Sequence, residues 1–149
     1  MLVDDNPIDC FINTEMIKRQ NPDIQTMEFL SALEALEYIK SIPLSITKSS
    51  GYFIPDLILL DINMPIMNGF EFLDQLNNIE NFNRGTIDIY ILTSSVLQND
   101  IDKAFSKPLC TGYIAKPLNQ EKLSKVLYSR VKRYYGFENN DKQPKNIFY

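Results

Sequence analysis

At 149 residues the chain has room for one domain with a real core and is too short for two ordinary ones. Its 44% hydrophobic and 23% charged residues are those of a soluble globular protein. A net charge of −4 with scattered Lys and Arg carries no nucleic-acid footprint, and the absence of histidine excludes Ser-His and Cys-His nucleophile pairs and histidine-ligated zinc.

Apolar stretches reach about four residues, against the ~20 that a membrane span needs. No basic segment leading into an apolar one opens the chain, so export is not expected and a cytoplasmic protein is. Cys10 and Cys110 are too few for a disulfide framework and read as two buried thiols in a reduced compartment.

Leu2-Val3 is a short first strand that ends in Asp4-Asp5. Asn6, Pro7 and Asp9 then suit the N-cap, first position and positive dipole end of a helix, with Ile8, Ile12 and Met16 as its apolar stripe. Asn21-Pro22-Asp23 ends that helix. A second strand, about Ile24 to Leu30, is more polar than the others and belongs at a sheet edge. Ser31 and Glu34 form a capping box for a helix with Ala32, Ala35, Leu36 and Ile39 at helical spacing. Residues 43–55 have the Pro, Ser and Gly of a long loop, a plain connection or a partner contact.

Leu57-Ile58-Leu59-Leu60 forms a third strand that runs into Asp61. Asn68-Gly69 starts a third helix, with Phe70, Leu73 and Leu76 on its apolar side. The fourth strand, Ile87 to Leu92 and broken only by Asp88, ends in Thr93-Ser94-Ser95, one of whose hydroxyls is expected to cap helix four. Leu97, Ile101, Ala104 and Phe105 mark that helix. Tyr113-Ile114-Ala115 ends in Lys116-Pro117, Asn119 caps a fifth helix carrying Leu123, Val126, Leu127, Val131 and Tyr134, and Gly136 stops it. The last residues are polar, and Phe148 and Tyr149 are expected to fray rather than to dock on a partner.

Short apolar runs alternating with helical patterns imply buried parallel strands joined by crossovers, hence one doubly wound α/β layer sandwich. Parallel strands point one way, so Asp4-Asp5, Asp61, Thr93 and Lys116 gather at the carboxyl edge of the sheet, where ligands bind in such folds. Clustered carboxylates without histidine or thiolate favour a hard, oxygen-seeking cation, and Mg²⁺ is the natural candidate. Asp4 and Asp5 repel each other unless a cation offsets them, although acids at a helix start also serve simply as caps. Burying Asp61 behind four aliphatic residues costs several kcal/mol unless it is compensated. Aspartate can also act as a nucleophile toward a phosphoryl group, which needs little more than a metal, a fixed cation and in-line access.

The order of these motifs resembles the receiver domain of two-component response regulators, the CheY-like family. The segments that carry the resemblance are Leu2-Val3-Asp4-Asp5-Asn6, Leu60-Asp61-Ile62-Asn63-Met64-Pro65-Ile66-Met67-Asn68-Gly69, Leu92-Thr93-Ser94 and Gly112-Tyr113-Ile114-Ala115-Lys116-Pro117. The resemblance covers residues 1–133, leaving 134–149 as a tail with no output domain. It implies a flavodoxin-like (βα)5 fold with a five-stranded parallel sheet in the order 2-1-3-4-5.

It also implies that Asp61 accepts a phosphoryl group from a sensor histidine kinase or a histidine phosphotransfer protein, the histidine being the partner's. Asp5 and Asp61 would ligate Mg²⁺ directly, Asn63 through its backbone carbonyl and Asp4 mainly through water. Lys116 would contact the phosphoryl group ahead of a cis Lys116-Pro117 bond, and Thr93 would swing in to bond a phosphoryl oxygen. Tyr113 would then turn inward and change the face made by helix four, strand five and helix five, on which an unidentified downstream protein binds. Asn63 and Ser95 would tune the lifetime of the phosphorylated state.

Two other readings use the same residues. A haloacid-dehalogenase-type phosphatase wants a second acid two residues after its nucleophile, where this chain has Asn63, and a cap domain. A phosphorylation-independent binding module of the same fold usually loses the acidic pair, the acceptor or the lysine, all of which are present here.

Overall fold

The structure, a computed structural model, describes residues 1–43, 52–79, 87–135 and 146–149. Six parallel strands lie in the order β2-β1-β3-β4-β5-β6. The first five are β1 (Leu2–Val3), β2 (Glu28–Phe29), β3 (Leu57–Leu60), β4 (Asp88–Thr93) and β5 (Cys110–Ala115), and their order is the one the resemblance implies. The sixth, β6 (Asn146–Phe148), is a departure, because the tail expected to fray adds a strand beside β5.

Five helices cover the two faces. Helices α2 (Ala32–Ser41), α3 (Gly69–Asn77) and α4 (Gln98–Ser106) close one face over Leu36, Ile58, Leu60, Phe72, Leu73, Ile89, Ile91 and Ile101. Helices α1 (Pro7–Gln20) and α5 (Gln120–Tyr135) close the other over Cys10, Ile17, Leu59, Tyr90, Leu92, Ile114, Leu123 and Val126. Both faces of β3 and β4 are therefore buried, which is why their sequences are continuous apolar runs rather than alternating ones.

Local chemistry sets most of the helix starts. Asn6 accepts from the Ile8 N–H at 3.0 Å, with Pro7 at the first helical position. Asn68 and Glu71 form a reciprocal capping box on α3, Ser31 accepts from the Glu34 N–H, and Asn119 accepts from the Lys122 N–H at 2.8 Å. Helix α4 differs from expectation. Its cap residue is Leu97, which offers no side-chain bond; Ser95 lies two residues earlier, accepts from the Leu97 N–H and donates to Asp100 at 2.5 Å.

Helix α1 also differs. Ile8 and Ile12 are exposed, and the buried positions are Cys10, Asn13, Thr14 and Ile17. Thr14 meets its need for a partner by donating to Glu28 of β2, so a polar face turns inward. Asp88 does not break the fourth strand but opens it, 2% exposed, with Arg130 at 2.9 Å and Arg133 converging on its carboxylate from α5. Burial pushes that carboxyl above its usual range, and the two guanidinium groups hold the rise back.

Of the 43–55 loop, residues 44–51 lie outside the described residues, as does Gly136, the expected stop of α5. The end of the loop is tied down: the Tyr38 hydroxyl donates to the Phe53 carbonyl at 2.8 Å and accepts from the Phe53 N–H at 3.1 Å.

Candidate functional site

The sheet places the ends of β1, β3, β4 and β5 side by side, and the expected residues follow from them. Asp4 leaves β1 with its N–H donated to Phe29 of β2, and Asp61 leaves β3 with its N–H donated to the Val3 carbonyl at 2.8 Å. The Lys116 N–H donates to the Thr93 carbonyl at 2.8 Å, locking the end of β5 to the end of β4. Each of these ladder bonds fixes where the following side chain emerges.

Asp4, Asp5 and Asp61 bring carboxylate oxygens within 4.8 Å of one another. Asp4 and Asp61 are 4% and 6% exposed, so two carboxylates share a nearly dry site. Lys116 compensates them: its ammonium lies 2.6 Å from Asp4, 3.0 Å from Asp9 and 3.7 Å from Asp61. Burial pushes the Asp61 carboxyl above its usual range, Lys116 opposes the rise and Asp4 adds to it. Burial alone would lower Lys116, but its bonds to Asp4 and Asp9 outweigh burial and raise it. The lysine is held charged while the carboxylate beside it is under pressure to take a proton or a cation.

This donor set fits a hard divalent cation. It consists of oxygens alone, one carboxylate is open to water at Asp5, and the buried pair carries more negative charge than one lysine offsets.

Thr93 is fully buried, and its hydroxyl accepts from the Ser95 N–H at 3.3 Å. Tyr113 is also fully buried, and its hydroxyl donates to the Ser95 carbonyl at 2.9 Å, so the aromatic ring sits inward. Asn63 is exposed on the loop after Asp61. The Lys116-Pro117 bond is cis.

Two members of the site are not legible as such in the sequence. Asp9 reads there only as an acid suited to the dipole of α1, yet it lies one helical turn beyond Asp5 and binds Lys116. Lys122, almost fully buried, donates to the Ala115 and Pro117 carbonyls at 2.7 and 3.0 Å and thereby straps the turn that carries Lys116. The i, i+4 spacing of Asp5 and Asp9 is the available signal for the first; the second has none.

Gly69 shows how tightly the acceptor loop is folded back. A Cβ there would stand 2.3 Å from the Asp61 carbonyl oxygen and 3.1 Å from the Ile62 Cα, both backbone atoms that cannot swing aside. Gly69→Ala is therefore expected to lower stability by ~3 kcal/mol, read as a lower urea midpoint, because overpacking against backbone forces α3 away from Asp61.

The response regulator receiver domain family matches residues 1–128. A probable methanogenesis regulatory protein, FilR2, of Methanothrix harundinacea is 29% identical over 68% of this chain, which spans 59% of that protein. The crystal structure of a response regulator receiver protein from Dyadobacter fermentans superposes with a TM-score of 0.72 at 27% identity, covering 90% of this chain and 94% of that one. The receiver domain of the sensor histidine kinase PA1611 from Pseudomonas aeruginosa, solved with magnesium coordinated in its active-site cleft, has a TM-score of 0.67 at 22% identity, covering 87% and 93%. With the strand order, the strand-end acids and the family match over most of its length, the chain belongs to the response regulator receiver domain family.

Proposed function

We propose that Asp61 accepts a phosphoryl group from a partner's phosphohistidine and that the resulting change is read at the face formed by α4, β5 and α5. The observation that carries this reading is the meeting of three strand-end carboxylates with the ammonium of Lys116, 3.7 Å from Asp61. Asp5, Asp61 and the Asn63 carbonyl would hold Mg²⁺, with Asp4 acting mainly through water. Once bound, the ion neutralises charge on the transferring oxygens.

The reaction needs an Asp61 carboxylate oxygen to form a P–O bond as the donor's P–N bond breaks, the imidazole leaving as a neutral base once protonated. Lys116 supplies a fixed positive charge for the phosphoryl oxygens, and the Thr93 hydroxyl stands at the same edge to donate to one of them. Asn63 and Ser95 would tune the lifetime of the adduct by controlling the access of water to it. Asn63 has no acidic proton to offer, so turnover of small phosphate esters is not expected.

Exposed Ile8, Phe11 and Ile12 on α1, the helix that begins at the acidic pair, offer a donor protein an apolar footing beside the acceptor. Residues 1–133 would form the receiver and 134–149 a tail. No helix among the described residues is long and apolar enough to cross a membrane, in keeping with a cytoplasmic signalling module.

Incubation with Mg²⁺ and acetyl phosphate, read by intact mass, is expected to give one labile phosphoryl adduct that EDTA prevents. A folded protein that binds Mg²⁺ and gains no mass would instead be a phosphorylation-independent binding module.

A further inference from the structure

The five crossovers of this fold do not share one hand. From β1 to β2 the chain moves toward the β2 edge over the face covered by α1. From β2 to β3, β3 to β4 and β4 to β5 it moves toward the opposite edge over the face covered by α2, α3 and α4. Reversing both direction and face preserves the hand, so these four crossovers agree, and they are right-handed as about 98% of such units are. From β5 to β6 the chain moves outward again, but α5 packs on the α1 face, with Leu123 and Val126 in that core. If β6 follows β5 within one chain, the last crossover is left-handed.

Nothing in β6 itself demands that arrangement. Its Phe148 ring stacks on Tyr90 at 6.3 Å, and its backbone runs in register with β5, Gly112 opposite Asn146, Tyr113 opposite Ile147 and Ile114 opposite Phe148. A β6 supplied by another copy makes the same ladder and the same stack. Residues 136–145 between α5 and β6 reach up to ~33 Å when extended at ~3.3 Å per residue, enough to cross to a neighbouring molecule. Without β6, β5 is a bare edge of unpaired N–H and C=O groups, the kind of edge to which strands are added.

We infer that the β5 edge is a docking site for β6 of a second copy of this chain, and that the protein forms a two-fold dimer by reciprocal exchange of its C-terminal strands. Exchange keeps every contact of β6 and removes the disfavoured crossover, at the cost of association alone. This stands independently of the phosphoryl chemistry.

The full-length chain is expected to show the mass of two chains by size-exclusion chromatography with light scattering at micromolar concentration. Ile147→Pro, which denies β6 its ladder, is expected to return the mass of one chain with its thermal melt nearly unchanged. A one-chain mass for the unsubstituted protein at every concentration, or a dimer undiminished by Ile147→Pro, overturns the inference. A second arm does not depend on the proline variant folding. A mixture of one chain carrying Tyr113→Cys and another carrying Ile147→Cys, which stand opposite each other in the ladder, is expected to yield a disulfide-joined pair of the two on mild oxidation. If no mixed pair forms, while the double variant Tyr113→Cys/Ile147→Cys closes its disulfide within single chains, β6 is seated on its own β5 and the inference falls.

Discussion

Asp61→Asn is expected to abolish the phosphoryl adduct while leaving a folded protein that is at least as stable as the parent in the absence of Mg²⁺. The amide keeps the size of the side chain and cannot form the acyl phosphate, so the loss should be complete rather than partial. The stability half follows from the electrostatics. Burial and the neighbouring Asp4 both push the Asp61 carboxyl upward, so its ionised form is disfavoured where it sits, and Lys116 only partly offsets this. Asparagine removes the charge without opening a cavity. The same change lowers the number of carboxylates available to a cation from three to two, so added Mg²⁺ should raise the melting temperature of the parent by more than that of the variant. Intact mass after acetyl phosphate treatment and thermal melts with and without Mg²⁺ test both halves. Uptake of phosphate at the parental rate would move the acceptor elsewhere.

What is legible in the sequence is what local chemistry and strand direction decide. The strand-end members of the site can be named from the chain alone because four apolar runs each end in a residue of unusual chemistry, and parallel strands bring such ends together. The starts of α1, α3 and α5 are equally legible, since a cap is written within four residues of itself. The inward face of α1 is not. Counting apolar residues points to Ile8 and Ile12, whereas the fold buries Asn13 and Thr14, because Glu28 gives Thr14 a partner that only tertiary structure supplies.

The same limit hides Asp88, whose charge is bearable in the interior because Arg130 and Arg133 reach it from α5, more than forty residues away. It also hides the grip of Asp9 on Lys116, 107 residues further along the chain. Strand β6 is the extreme case. Three residues have no periodicity to read, and the segment becomes a strand only because the β5 edge offers it a ladder.

Lys116→Ala is expected to cost ~3–5 kcal/mol of stability without Mg²⁺, because it strands two buried carboxylates, Asp4 and Asp61, beside each other with no cation. The lysine side chain is itself only 15% exposed, so water screens little of the loss. Three consequences separate this account from one in which the lysine merely packs. Mg²⁺ supplies the missing positive charge, so it should recover most of the lost stability and raise the urea midpoint of the variant by more than that of the parent. Lowering the pH should narrow the gap as well. Burial and the charge of Asp4 push the Asp61 carboxyl above its unfolded value and Lys116 opposes that rise, so without the lysine the destabilisation is present at neutral pH and fades as the pH falls through the raised value and Asp61 takes up a proton. Finally, the variant should still bind Mg²⁺ and still accept a phosphoryl group, but without the ammonium to draw the adduct toward β5 the face of α4, β5 and α5 should not respond. Amide exchange along β5 and α4 before and after phosphorylation reads that last step. Equal losses of stability with and without Mg²⁺ would show that the lysine fills space rather than balancing charge, and a full exchange response in the phosphorylated variant would remove it from the coupling between the acceptor and the binding face.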